Sequence, residues 1–162
     1  MVELKDGHKY RIVNKINHRV LSVSHEDKSP GEWLAIQNYD NSSYENVFRA
    51  NLCPRATWKF TMVDNPNMCI GINGDISGES LKMLQIVDGG GDDVHIEWSV
   101  DHGDGPCQFA IHMRTERGDF SWSVPDSARA GAVVGLVSRE DHPSQEWTFA
   151  IPVDKQEENK SM

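Results

Sequence analysis

The chain has 162 residues, a formal net charge of −9 from 25 acidic against 16 basic residues, and 38% hydrophobic positions. That length and balance suit one globular domain with a core of its own. The acidity, with no Lys/Arg cluster to offset it, excludes a phosphate backbone as a favoured partner, and no stretch approaches the ~20 apolar residues of a membrane helix.

Residues 1–7 hold no apolar run of signal-peptide length. Short alternating apolar runs follow at 10–13 and 20–23, and again at 58–62, 109–113 and 147–151. Alternation of this kind puts every second side chain on one face of a strand. Asn73-Gly74, Ser77-Gly78, Gly89-Gly90-Gly91 and Arg117-Gly118 supply turn residues between the runs. Few windows carry apolar residues at helical spacing, so an all-β chain is expected. Cys53, Cys69 and Cys107 are odd in number, far apart and without a CxxC pair, which favours reduced core thiols and a cytoplasmic protein.

Three segments open with apolar residues two apart: Tyr10 and Ile12, Ile70 and Ile72, Phe109 and Ile111. Each runs on to a tryptophan with an apolar residue two places later: Trp58 and Phe60, Trp98 and Val100, Trp147 and Phe149. The expected fold is therefore an all-β β-trefoil, one domain over 1–153, with pseudo-repeats at about 8–63, 67–102 and 106–153 around a threefold axis. The first repeat carries an insertion over 39–53. Residues 154–162 lack apolar periodicity and are expected to form a tail outside the fold.

Tyr10-Arg-Ile-Val-Asn14 with Arg19-Val-Leu-Ser-Val23, and Ser123-Val-Pro-Asp-Ser127 with Val133-Val-Gly-Leu136 and Gln145-Glu-Trp147, resemble the ricin B-type trefoils, especially those of fungi. The last three residues match that family's Gln-x-Trp signature; Ala56-Thr-Trp58 and Ile96-Glu-Trp98 stand at the other two places. The resemblance implies sugar binding by an Asp after the second strand, a stacking aromatic and an Asn before Gln-x-Trp. Here repeat one offers Ser22, Gln37 and Arg55, repeat three offers Ser123, Val137 and Ser144, and repeat two does not align. The alternative is a displaced glycan site at Asn38, Tyr39 and Asp40, where the phenol would stack and the amide or carboxylate accept.

The chain is also similar, in size, acidity and lack of the sugar set, to the mycocypin-like trefoil protease inhibitors. That likeness implies loops that enter the cleft of a protease, of the cysteine and also the aspartic class. The candidate protein-binding residues are Lys15, Ile16 and Asn17 in one loop and Asn41, Tyr44, Asn46 and Phe48 in the other. Val47 and Leu52 are expected to fold back over the barrel instead. Seven histidines are scattered without metal-ligand spacing, and no phosphate-loop or Gly-x-Ser-x-Gly motif occurs. The expectation is a non-catalytic protein with no cofactor or metal, whose partner is a protease or other protein target, or a glycan.

Overall fold

The computed structural model describes residues 3–24, 31–74, 82–103, 105, 107–140 and 142–152. The expected tail at 154–162 and the Ser77-Gly78 turn lie outside them. Repeat one is built from β1 (Lys9–Asn14), β2 (Val20–Ser24), β3 (Ala35–Gln37), β4 (Tyr44–Glu45) and β5 (Phe48–Leu52). Repeat two follows with β6 (Trp58–Met62), β7 (Met68–Asn73), β8 (Lys82–Met83), β9 (Gln85–Asp88), β10 (Val94–His95) and β11 (Ser99–His102). Repeat three contains β12 (Phe109–Thr115), β13 (Gly118–Ser123), β14 (Gly135–Ser138) and β15 (Trp147–Ala150), with a 3-10 turn at Pro143–Gln145.

Alternation explains the barrel. In β1, Tyr10, Ile12 and Asn14 are buried while the residues between them are not. β1 pairs β15 at Ile12↔Phe149 and β5 at Tyr10↔Phe48. β5 pairs β6 at Ala50↔Phe60, and a Trp58↔Trp98 bridge leads to β11. β11 pairs β12 at Val100↔Ile111, and β12 meets β15 at Phe109↔Trp147, which closes the ring. A closed ring leaves no edge strand inside the barrel.

The hairpins β2–β3, β7–β9 and β13–β14 cap one end. Leu34 N donates to Leu84 O (3.0 Å), Leu84 N to Val134 O (2.9 Å) and Val134 N to Leu34 O (3.1 Å). This cycle of backbone bonds marks the pseudo-threefold axis, and all three side chains are fully buried. The architecture is the β-trefoil.

The pairing corrects the repeat boundaries. The repeats run over 9–52, 58–102 and 109–150, so Trp58 opens the second repeat and does not close the first. The strand that closes repeat one is β5, whose Phe48 takes the place of Trp98 and Trp147. Ile70 and Ile72 belong to the second strand of their repeat and not to its opening. Opening and closing strands of the barrel alternate with the same inward face, so a Trp-x-apolar pattern fits either. The supposed insertion at 39–53 is in fact the end of repeat one, including its closing strand.

Candidate functional site

The registers align the three repeats position by position. Leu21↔Ile36, Ile70↔Ile86 and Trp122↔Leu136 are equivalent pairs. The residues after them fall at the Asp and aromatic positions that sugar binding would use. These are Ser22 and Gln37, Gly71 and Val87, and Ser123 and Val137. The Asn position, three residues before Phe48, Trp98 and Trp147, holds Glu45, His95 and Ser144. Glu45 thus replaces the expected Arg55, an error inherited from treating Trp58 as the closing residue. No repeat keeps one member of the usual sugar set.

Two of these positions are also covered. β4 pairs β2 at Val23↔Glu45, and β10 pairs β7 at Ile72↔His95. A side chain at Gly71 would overlap the His95 carbonyl oxygen. Repeat three has the 3-10 turn in place of such a strand, and there a cleft of about 490 Å³ stays open beside Met83, Ser123, Asp126, Val137 and His142. Gln145 of Gln-x-Trp shapes its wall, accepting from Glu140 N at 2.7 Å and donating to Ser138 O at 3.0 Å.

The loops singled out from sequence are joined by hydrogen bonds into one ledge. Between β1 and β2, Ile16 N donates to Asn14 Oδ1 (3.1 Å) and Arg19 N to Asn17 Oδ1 (2.9 Å). His18 adopts φ 57°, a left-handed position at the turn. Lys15 pairs with buried Glu146 at 2.8 Å, so the loop is tied to β15. Between β3 and β5, Ser43 N donates to Asn41 Oδ1 (3.1 Å), and Tyr44 lies half-buried in β4. Arg19 Nε donates to Asn38 Oδ1 at 3.2 Å and joins the two loops. Arg11 donates from Nε to Asn46 Oδ1 (3.0 Å) and from a terminal nitrogen to Tyr39 Oη (2.8 Å).

Two of the predicted protein-binding residues are not on this ledge. Phe48 is 1% exposed and sits in the core, and Asn46 is 8% exposed and serves as a brace. Leu52, expected to fold back, is half-exposed instead. Tyr39 is 54% exposed and Asp40 is exposed, while Lys15, Ile16, Asn17, Asn41 and Tyr44 are partly so. The sequence reading missed Arg11 and Arg19. Their signal was present: both occupy outward positions beside the first hairpin.

A second polar cluster also escaped the sequence reading. His112 on β12 is 4% exposed, yet Nδ1 lies 2.6 Å from Asp119 Oδ1 and Nε2 lies 2.6 Å from Asp101 Oδ2. Arg139 closes the group at 3.1 Å from Asp101 and 3.4 Å from Asp119. The partners come from β11, β13 and the segment after β14, so sequence spacing gives no hint of them. Burial alone would raise the Asp101 carboxyl, but hydrogen bonds from His112 and Arg139 overrule it and hold it below the usual carboxylate range. A depressed carboxyl stabilises the fold above its unfolded value of 3.8 and loses that effect as pH falls through the folded value. The melting temperature of wild type is accordingly expected to exceed that of Asp101→Asn at neutral pH and to converge with it below about pH 4; a gap that is unchanged in acid would contradict this.

Burial pushes the thiols of Cys69 and Cys53 up, with Glu97 adding to the effect at Cys53. Neither is poised as a thiolate nucleophile. Among the described residues no His/Cys/Asp/Glu group is arranged to hold a metal ion.

No family model matches the chain, and no curated protein matches it. Solved structures do. A ricin B-like lectin of Macrolepiota procera, in complex with lactose, superposes with TM-score 0.73 at 18% identity over 93% of this chain and 100% of its own. A proteinase inhibitor from Coprinopsis cinerea gives 0.70 at 16% over 93% and 100%. A designed threefold-symmetric protein, ThreeFoil, gives 0.71 at 16% over 89% and 99%. At these identities the likeness establishes the β-trefoil fold that lectins and a proteinase inhibitor both use.

Proposed function

We propose that the protein is a non-catalytic binding protein that engages a protease through the ledge formed by its first two loops. One observation carries this reading: Arg19 and Arg11 brace the 15–18 and 38–46 loops into a single surface. Loops fixed before binding lose little entropy when they dock, which is what an inhibitor loop requires. The absence of every usual sugar-binding residue supports the same choice. The test is titration of papain-like and pepsin-like proteases with the protein. Stoichiometric loss of activity is expected for at least one class, weakened by Tyr39→Ala; full activity of both at micromolar protein would remove the reading.

A second reading, a lectin with a degenerate site, is favoured by the open cleft of repeat three, which Ser123, Val137 and Ser144 line at the usual sugar positions. Its volume suits a small ligand, and Asp126 can accept a hydroxyl proton beside an apolar wall, while His142 Nδ1 already accepts from Ser144 N at 3.1 Å. On a glycan array, binding abolished by Asp126→Asn but not by Tyr39→Ala would select this cleft over the Tyr39 ledge.

A further inference from the structure

We infer that the ledge recognises a carboxylate-bearing segment of a protein partner, held by the guanidinium groups of Arg11 and Arg19 on either side of Tyr39. This rests on the ledge reading and names the chemistry of its partner. The two arginines bracket one turn, since Arg11 bonds Tyr39 and Arg19 bonds its neighbour Asn38.

Their protein partners are all uncharged. Arg11 donates to the Asn46 amide oxygen and the Tyr39 hydroxyl, and Arg19 to the Asn38 amide oxygen and, at 3.1 Å, the Ala128 carbonyl. No carboxylate of a described residue forms an ion pair with either guanidinium, whereas Lys15 and Arg139 both have acidic partners. In a chain of net charge −9, two positive charges are thus fixed in place without an ion-pair partner among the described residues. Each arginine spends Nε and one terminal nitrogen on the protein and keeps its other terminal nitrogen without an acceptor among the described residues. Oriented terminal N–H groups of this kind match carboxylate oxygens.

The side chains favour a peptide. The ledge carries an exposed tyrosine, whose ring Arg11 Cζ approaches to 4.6 Å from the centroid. Tyr and Arg are the residues that anchor protein interfaces.

The probe is a capped pentapeptide, Ac-GEEEG-amide, titrated into isotope-labelled protein while the Nε–Hε resonances of Arg11 and Arg19 are followed. Both are expected to shift saturably, and the shifts to shrink when ionic strength is raised several-fold. Arg11→Gln with Arg19→Gln should weaken binding about tenfold or more, while Arg114→Gln on β12 leaves it unchanged. If the double variant melts early, the single Arg19→Gln variant with a wild-type melt is read in its place. Equal shifts with Ac-GQQQG-amide, no shift with either peptide, or shifts with glucuronate alone would each overturn the inference. Protease inhibition that survives the double substitution would also overturn it while leaving the ledge reading intact. Peptide shifts without any inhibition would uphold the carboxylate site and remove the protease.

Discussion

Replacing Trp147 by alanine is expected to cost about 3–5 kcal/mol, the range for truncating a fully buried tryptophan. The indole has no solvent exposure, donates from Nε1 to Trp122 O at 3.1 Å, and meets the Trp122 ring edge-on at 6.2 Å. Its loss would leave a cavity in the core and remove the bond to the Trp122 carbonyl. Against a total of about 5–15 kcal/mol for a domain, that is a large fraction. Trp98 makes the same bond to Ile70 O at 3.0 Å and should behave alike. The informative comparison is between Phe48→Ala and Trp58→Ala. Phe48 closes repeat one from the core, whereas Trp58 is only partly buried at the start of repeat two. Denaturant midpoints should therefore fall further for Phe48→Ala than for Trp58→Ala. The reverse order would contradict the core role of Phe48.

The second large effect is expected at His112. Its ring nitrogens each face a carboxylate oxygen at 2.6 Å, and every such contact needs a proton between its atoms. His112→Leu fills the volume but strands Asp119, whose side chain is 22% exposed, leaving it Arg139 at 3.4 Å. Breaking a buried pair by removing one partner costs about 3–5 kcal/mol; because Asp101 can turn toward water, about 2–3 kcal/mol is expected here. His112→Leu combined with Asp119→Asn should recover part of that loss, since the stranded charge is then gone. Chemical denaturation of the single and double variants measures this, and a double variant less stable than the single one would show that the cluster acts through packing and not through charge.

These two predictions also separate what was legible in the sequence from what was not. The strand periodicity at Tyr10, Ile12, Trp147 and Phe149 is a local property of the chain, and it led directly to the all-β assignment. The threefold pattern was visible too, because each repeat contributes a bulky core residue at a comparable distance along the chain. The phase of that pattern was not visible. Phe48 and Trp58 sit ten places apart on neighbouring antiparallel strands, both alternating inward, and only hydrogen-bond pairing tells which one ends a repeat.

The candidate surfaces divide the same way. The sequence by itself determined that the chain is a β-trefoil with Trp98 and Trp147 inside, and that Asn38, Tyr39, Lys15 and Asn17 lie in loops, because alternation and turn residues act over a few positions. It could not reveal that Arg19 bonds Asn38 or that Arg11 bonds Tyr39. Nor could it show that His112 gathers Asp101, Asp119 and Arg139, or that β10 covers Gly71 while repeat three stays open. Each of these depends on contacts between residues far apart in the chain, fixed when the barrel closes and the strand registers are set. The tryptophan-centred repeats thus specify the scaffold, while its registers decide which side chains meet at the surface.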